Sequence, residues 1–407
     1  MPFQLPAYRP FVIVFVASLM FFYAFALVSI FNVLQPHLAS SLLISDAILG
    51  LISSASFYIE IVFLLPAGPI LDTYSVKRVL LITLFISIIG VVLTAFAHCV
   101  PTLLIARMLM AIAASFGFAG SVKLAVNWLP KKYLSQGITF IGAMGFLGGL
   151  IVQVPLTYSI AKIGWRYSLY GVSLVGLLIL VLIYLIVKNN PLPNLSVENK
   201  LSTNNKITLL NKFKLAFFNK QNLFCGIYAS LMNLPVFMLG AMWGIVYLTH
   251  VNTISPLAAA TICTMIFLGT IIGCPLVGAI DGKFFSCKFI MKAGALLSLI
   301  LILIIIFYPT SNLFYLMIAY FLLGLFTSTQ MLSYPIVIEN NSKAITSSAT
   351  AVVSMLAMVG GAISQPLFGY ISSLHSSLTT IHSYQYAIGI LPCAFLLAFA
   401  MIFLIKD

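Results

Sequence analysis

Charge is what this sequence lacks. Twenty basic and seven acidic residues are all the charge in 407, while 62% of the chain is hydrophobic. A soluble globule of this size needs a charged shell, and 27 side chains cannot build one. The composition therefore points to a bilayer as the solvent. Metal and redox patterns are missing too. The six cysteines (Cys99, Cys225, Cys263, Cys274, Cys287, Cys393) form no C-x-x-C and read as small core hydrophobes. The five histidines make no H-x-x-x-H pair. Phosphate loops and nucleophile–base sets are likewise not found, which argues against an enzyme and against a cofactor. The net charge of +13 comes without a basic stripe interleaved with aromatics, so nucleic acid is not expected as a partner.

What the chain has instead is apolar length. A helix needs about 20 apolar residues to cross the hydrocarbon. Twelve such spans are expected, at 11–35, 47–71, 79–98, 102–128, 135–160, 168–188, 222–249, 255–280, 289–308, 312–337, 345–373 and 384–405. Phe11 to Ile30 is too long for a signal-peptide core and reads as the first span. The longest polar stretch, 189–221, separates spans six and seven and carries five lysines. It reads as a linker between two halves, 1–188 and 222–407, with a short amphipathic helix at 207–219 lying on the membrane. Placing the N-terminus in the cytoplasm puts 16 of the 20 basic residues on the inner side, so both termini are expected inside. The histidines then fall at outer ends, as ordinary interfacial residues or as sensors of an acidic exterior.

One phrase occurs twice. Leu65-Pro66-Ala67-Gly68-Pro69-Ile70-Leu71-Asp72 returns 209 residues later as Cys274-Pro275-Leu276-Val277-Gly278-Ala279-Ile280-Asp281, and basic residues follow both. Two similar halves suggest bundles that rock around a site between them. The charge count puts both phrases on the cytoplasmic rim. Asp72, Lys77, Arg78, Asp281 and Lys288 are therefore candidate gating residues, with the first copy expected to carry more of the gating. The basic members would also be accounted for by membrane topology alone.

Few polar groups lie within the spans. Glu60 is the carboxylate placed deep in the membrane, about 18 Å along its helix from Asp72. It shares a helical face with Ser53 and Ser56. A charge there is expensive and usually faces a cavity or a partner, so Glu60 is a candidate proton-coupling and substrate-binding group. Arg107, in span four, could fork onto a substrate carboxylate or snorkel to the interface. Lys123 lies about 160° around the same helix, so a straight helix cannot aim both at one cavity. Gln153 and Gln365 precede Pro155 and Pro366 in spans five and eleven. Their amides could satisfy freed carbonyls, contact a solute or glue helices. Gly145, Gly148, Gly149, Gly360 and Gly361 suit close helix packing.

The twelve spans, the 6+6 layout, the central linker and Gly68-x-x-x-Asp72 with Lys77-Arg78 together resemble the major facilitator superfamily. Two positions depart from its signature: Ser75 stands for a glycine and Val76 for an arginine. The resemblance implies an all-α membrane protein of two pseudo-symmetric six-helix bundles with alternating access. It also implies that Asn32, Asn233, Trp243, Gln330 and Tyr334 line a central cavity. A narrower likeness lies in Lys123–Pro130, Gly145–Pro155, Gly164-Trp165-Arg166, Tyr334-Pro335, Glu339-Asn340-Asn341 and Gly360–Gly369. It is to bacterial relatives of lysosomal dipeptide transporters and to phagosomal amino-acid transporters. The expectation is thus a monomeric transporter in a bacterial inner membrane, taking up a small polar solute, an amino acid or short peptide, with protons. Efflux of a drug or metabolite, or siderophore transport, is the alternative.

Overall fold

The computed structural model describes residues 8–189, 209–280, 286–342, 345–374 and 380–405. Among the described residues all regular structure is helical. In hydrocarbon each backbone N–H and C=O must be bonded within the protein, and a helix does this locally.

The first half holds α1 (Arg9–Leu42), α2 (Asp46–Thr73), α3 (Val76–Ala95), α4 (Val100–Trp128), α5 (Lys131–Ile163) and α6 (Trp165–Ile186). A short helix, α7 (Leu209–Phe217), then leads to α8 (Lys220–Met232), α9 (Gly244–Val251), α10 (Pro256–Ile280) and α11 (Cys287–Phe307). The chain closes with α12 (Leu313–Thr327), α13 (Ser333–Glu339), α14 (Thr346–Leu374), α15 (Thr380–Ile388) and α16 (Ile390–Ile402). Side-chain caps mark several starts: Ser75 accepts from Arg78 N, Ser286 from Phe289 N and Asn312 from Tyr315 N. Large apolar residues stay exposed along α6 (Leu174, Leu178, Leu185) and α11 (Leu296, Ile300), as a lipid-facing surface requires.

Eleven helical stretches among the described residues are long and apolar enough to cross a bilayer. The expected seventh span, 222–249, is not a continuous helix. It divides into α8, a π-helical turn at Val236–Gly240, and α9. The cause is local. Pro235 brings no N–H to the ladder, and Trp243 N bonds back five residues to Met238 O, leaving nearby carbonyls without helical donors. Hydropathy alone runs through this break without a mark. Span ten also tightens, into a 3-10 turn at Ser328–Leu332. There the Thr327, Ser328 and Thr329 hydroxyls donate to carbonyls three or four residues back. Span twelve is divided between α15 and α16 at Gly389.

Within the first half, α4 packs on α1, α2 and α3, and α5 lies along α1. Within the second, α10 packs on α12, α8 on α14 and α11 on α16. The halves meet where α2 lies on α14 and α5 on α10. The α2–α14 seam is closest at the Asp46 end. A Cβ on Gly50 would strike the backbone of Gln365 and Pro366, and one on Gly369 would strike the backbone of Asp46. Toward the Thr73 end a Cβ on Gly68, Gly142 or Gly278 would meet nothing within 4 Å. The helix expected at 207–219 is α7, and its buried Ala216 and its contacts with α8 and α14 dock it on the second half.

Candidate functional site

Three features define the polar interior. The first is a small cavity in the first half, with room for about one water molecule, lined by α1, α2 and α4. Ser56 and Glu60 of α2 and Arg107 of α4 bring its polar groups. Glu60 is 7% exposed and Arg107 is 1% exposed. Arg107 is held by the chain itself. Its guanidinium donates to Leu27 O (2.7 Å), Val28 O (3.3 Å) and Ser53 O (3.4 Å), and lies 4.1 Å from the centre of the Phe31 ring. Three carbonyls and an aromatic face compensate its desolvation and tie α1, α2 and α4 together. Glu60 faces the same space without a direct ion pair to it. Ser53 Oγ and Ser115 Oγ are buried nearby on α2 and α4 without hydrogen-bond partners.

Arg107 and Lys123 separate as the helical geometry requires. Arg107 lines the cavity, while Lys123 Nζ donates to Leu71 O in the last turn of α2, where a cation favours the helix dipole.

The second feature is the interrupted seventh span. Its carbonyls are met by amides that the sequence singles out. Asn32 Nδ2 donates to Leu239 O (3.1 Å) and Gly240 O (3.0 Å), and Asn32 Oδ1 accepts from Ile245 N (3.0 Å). Gln153 Nε2 donates to Gly240 O (2.9 Å), and its Oε1 accepts from Asn32 (3.0 Å). Gln365 Nε2 donates to Phe237 O (2.8 Å), and Trp243 Nε1 donates to Gln365 O (3.2 Å). The two proline-adjacent glutamines thus reach the broken span from opposite halves. Phe57 of α2 meets Phe237 edge-on, with ring centres 4.8 Å apart.

Asn233 and Gln330 pair with each other in the second half at 2.9 Å, and Tyr334 Oη pairs with Ser354 Oγ at 3.1 Å. Both pairs lie apart from the Glu60 cavity.

The third feature was not singled out from the sequence. Asp46, at the start of α2, accepts from Gln35 Nε2 (3.1 Å), Ser372 Oγ (3.0 Å) and Tyr384 Oη (2.8 Å), the last two from the second half. Tyr384 belongs to a column of stacked rings, Trp243–Phe368–Tyr384–His250, running from the interrupted span to the exposed His250. The only sequence signal for Asp46 is an acid in the first turn of a helix, which is common.

The residues expected at the opposite rim are placed differently. Lys77 N donates to Asn189 Oδ1, and Lys77 Nζ donates to Tyr184 O over the Tyr184 ring. Arg78 is exposed, with its N–H on Ser75 Oγ. Asn189 Nδ2 donates to Ser75 Oγ at 2.7 Å, so the serine that replaces the signature glycine serves as helix cap and linker anchor together. These contacts stay within the first half and the first residue of the linker. The backbone of Asp72 lies in the last turn of α2, Lys288 lies in the first turn of α11, and Asp281 falls outside the described residues. No group of three or more metal-ligating side chains is found among the described residues.

The fold is two helical bundles, most of whose helices are long and apolar enough to span a membrane, with buried polar groups at the seam between them. The Major Facilitator Superfamily profile matches residues 16–252 and 227–407, and the chain belongs to that family. It is a multi-pass membrane transporter, not an enzyme. A stretch of 164 residues is 28% identical to the probable sulfoacetate transporter SauU of Cupriavidus necator, covering 40% of this chain and 38% of that protein. The chain thus matches well under half of that relative's length. A bacterial homologue of the human lysosomal transporter Spinster, in an inward-facing and unoccupied conformation, superposes with TM-score 0.80 at 14% identity, over 98% of this chain and 97% of that one. A D-xylose–proton symporter superposes with TM-score 0.77 at 16% identity, over 98% of each chain. At these identities the likeness is one of fold.

Proposed function

We propose that the chain carries a small polar organic solute, an amino acid or short peptide, across a bacterial inner membrane by alternating access, in symport with protons. The carrying observation is the Glu60–Arg107 cavity: opposite charges on two helices share one buried space. A zwitterion needs both an anionic and a cationic partner. A carboxylate in hydrocarbon is also able to cross neutral with a proton, which suits a coupling site. Halves 1–188 and 222–407 form the rocking units, and residues 189–221 join them on the inner side. With both termini inside, the close α2–α14 seam at Asp46 lies outermost, so the described state is open inward.

The partial relative gives a second reading. A probable sulfoacetate transporter suggests a small organic anion, for which Arg107 would supply the binding charge and Glu60 the proton.

The test uses purified protein in liposomes. Thermal stabilisation is screened with amino acids, dipeptides and sulfoacetate, followed by uptake with and without an inward proton gradient. Stabilisation and gradient-driven uptake of zwitterions are expected. Response to sulfoacetate alone would favour the second reading, and response to none would overturn both.

A further inference from the structure

The break in span seven is completed by a side chain from the other half of the molecule. Leu239 O and Gly240 O have lost helical donors, and Ile245 N–H, just inside α9, has no carbonyl four residues back in helical geometry. All three are satisfied by one group, the carboxamide of Asn32, with its NH2 on the two carbonyls and its oxygen on the N–H. Asn32 is fully buried. Two acceptors beside one donor form a complementary array, and a carboxamide fills it as a ligand would.

Asn32 lies on α1 and Gln153, which also donates to Gly240 O, lies on α5. The array itself belongs to the second half. If the halves part at the Asp46 end, both amides withdraw together. Two carbonyls and an N–H are then left in a low-dielectric interior, where unsatisfied polar groups are costly. Some other molecule must take the place of the Asn32 amide, or the break must close.

We infer that Leu239 O, Gly240 O and Ile245 N–H form a solute subsite, self-occupied by Asn32 in this state and offered to the solute when the halves part. The class of group it takes follows from the array. Two carbonyls call for N–H donors, an ammonium or an amide NH2, and the adjacent N–H calls for a carboxylate or carbonyl oxygen. A primary amide has both, and it leaves the solute's charged groups to Glu60 and Arg107. A sulfonate or phosphate, bearing acceptors only, does not. This inference deepens the transport reading and rests on it for the identity of the occupant. It gives alternating access a ligand-dependent step, because a solute that replaces Asn32 stabilises the parted state and leaves the closed one unaffected.

The test is chemical rescue. Asn32→Gly removes the carboxamide and leaves its space, whereas Asn32→Leu fills that space with an apolar side chain. Melting of full-length protein is followed with acetamide, glycinamide and, as an acceptor-only control, acetate. The expected result is that Asn32→Gly melts lower than wild type and is raised by acetamide and glycinamide but not acetate, while Asn32→Leu responds to none. Equal response of both variants, or response to acetate, overturns the subsite. If Asn32→Gly does not fold, wild type decides the matter. Spin labels at exposed Leu43 and Leu257 report the separation of the halves, and glycinamide must raise the separated population several-fold where acetate does not. No change, or the same change with both, overturns the subsite. These readouts need no uptake, so a failure of transport in liposomes would count against the function and leave this inference standing.

Discussion

Tyr384 Oη donates to the Asp46 carboxylate at 2.8 Å, joining residues 338 positions apart and from opposite halves. With Ser372 Oγ on the same carboxylate, it makes a cross-half latch at one end of the α2–α14 seam. Hydrogen bonds to a charged acceptor contribute about 1.5–3 kcal/mol each, or roughly ten- to hundredfold in an equilibrium. Tyr384→Phe removes one of them from the closed state alone. Its expected effect is a rise of about tenfold or more in the population separated at the Asp46 end, read as the distance between labels at Leu43 and Leu257. Ser372→Ala should act in the same direction.

Glu60 supplies the test of coupling. Glu60→Gln keeps the shape and the hydrogen-bonding capacity but cannot carry a proton. Uptake driven by a proton gradient should fall at least tenfold in this variant, and further than exchange of labelled for unlabelled solute without a gradient, which loses only the anionic contact to the solute. Equal loss of both would assign Glu60 to solute binding rather than to coupling.

Arg107→Lys is not a conservative change here. The guanidinium meets Leu27 O, Val28 O and Ser53 O from one planar group, and an ammonium cannot reach all three. Leaving even one buried carbonyl unpaired costs ~1–3 kcal/mol. The variant should melt several degrees below wild type and lose most of its uptake.

Cys99 tests the orientation. It is an exposed thiol at the N-cap of α4, on the same side of the bundle as Asp46. With the termini inside, a membrane-impermeant maleimide added to intact cells should label Cys99, and Cys99→Ser should abolish that labelling. Buried Cys225 and Cys263 should stay unlabelled without denaturant. Labelling of Cys99 only after cell rupture would reverse the topology.

Asn189→Ala removes the side chain that joins the linker's first residue to Ser75 and to the N–H of Lys77. A loss of about 1–3 kcal/mol in stability is expected, measured as a lower melting temperature, with the Leu43–Leu257 distance unchanged.

The helices were legible because charge is scarce and apolar runs are long. The amphipathic linker helix was legible to within two residues at its C-terminal end. Asn32, Gln153 and Gln365 could be picked out as polar groups in apolar helices, but not their partners, since a backbone carbonyl leaves no trace in a sequence. The break after Met232 was hidden because Asn233 and Pro235 stand in an otherwise apolar run, and mean hydropathy carries the span through both. Nothing in the sequence marks Asp46, because its acceptor role depends on Ser372 and Tyr384, brought to it only by the packing of α14 and α15. Lys77 Nζ donates to the carbonyl of Tyr184, in the last turn of the neighbouring α6, a partner the sequence does not show.

The chain's three tryptophans fall at three levels of the bundle. Trp128 donates to Lys188 O near the start of the linker, Trp165 to Ser41 Oγ at the far end of α1, and Trp243 to Gln365 O between them. Trp243 is also the innermost ring of the column that ends at His250. The protein therefore carries its own fluorophore beside the seam between its halves. With Trp128 and Trp165 replaced by phenylalanine, the emission wavelength of Trp243 would follow its wetting in real time, without any attached label.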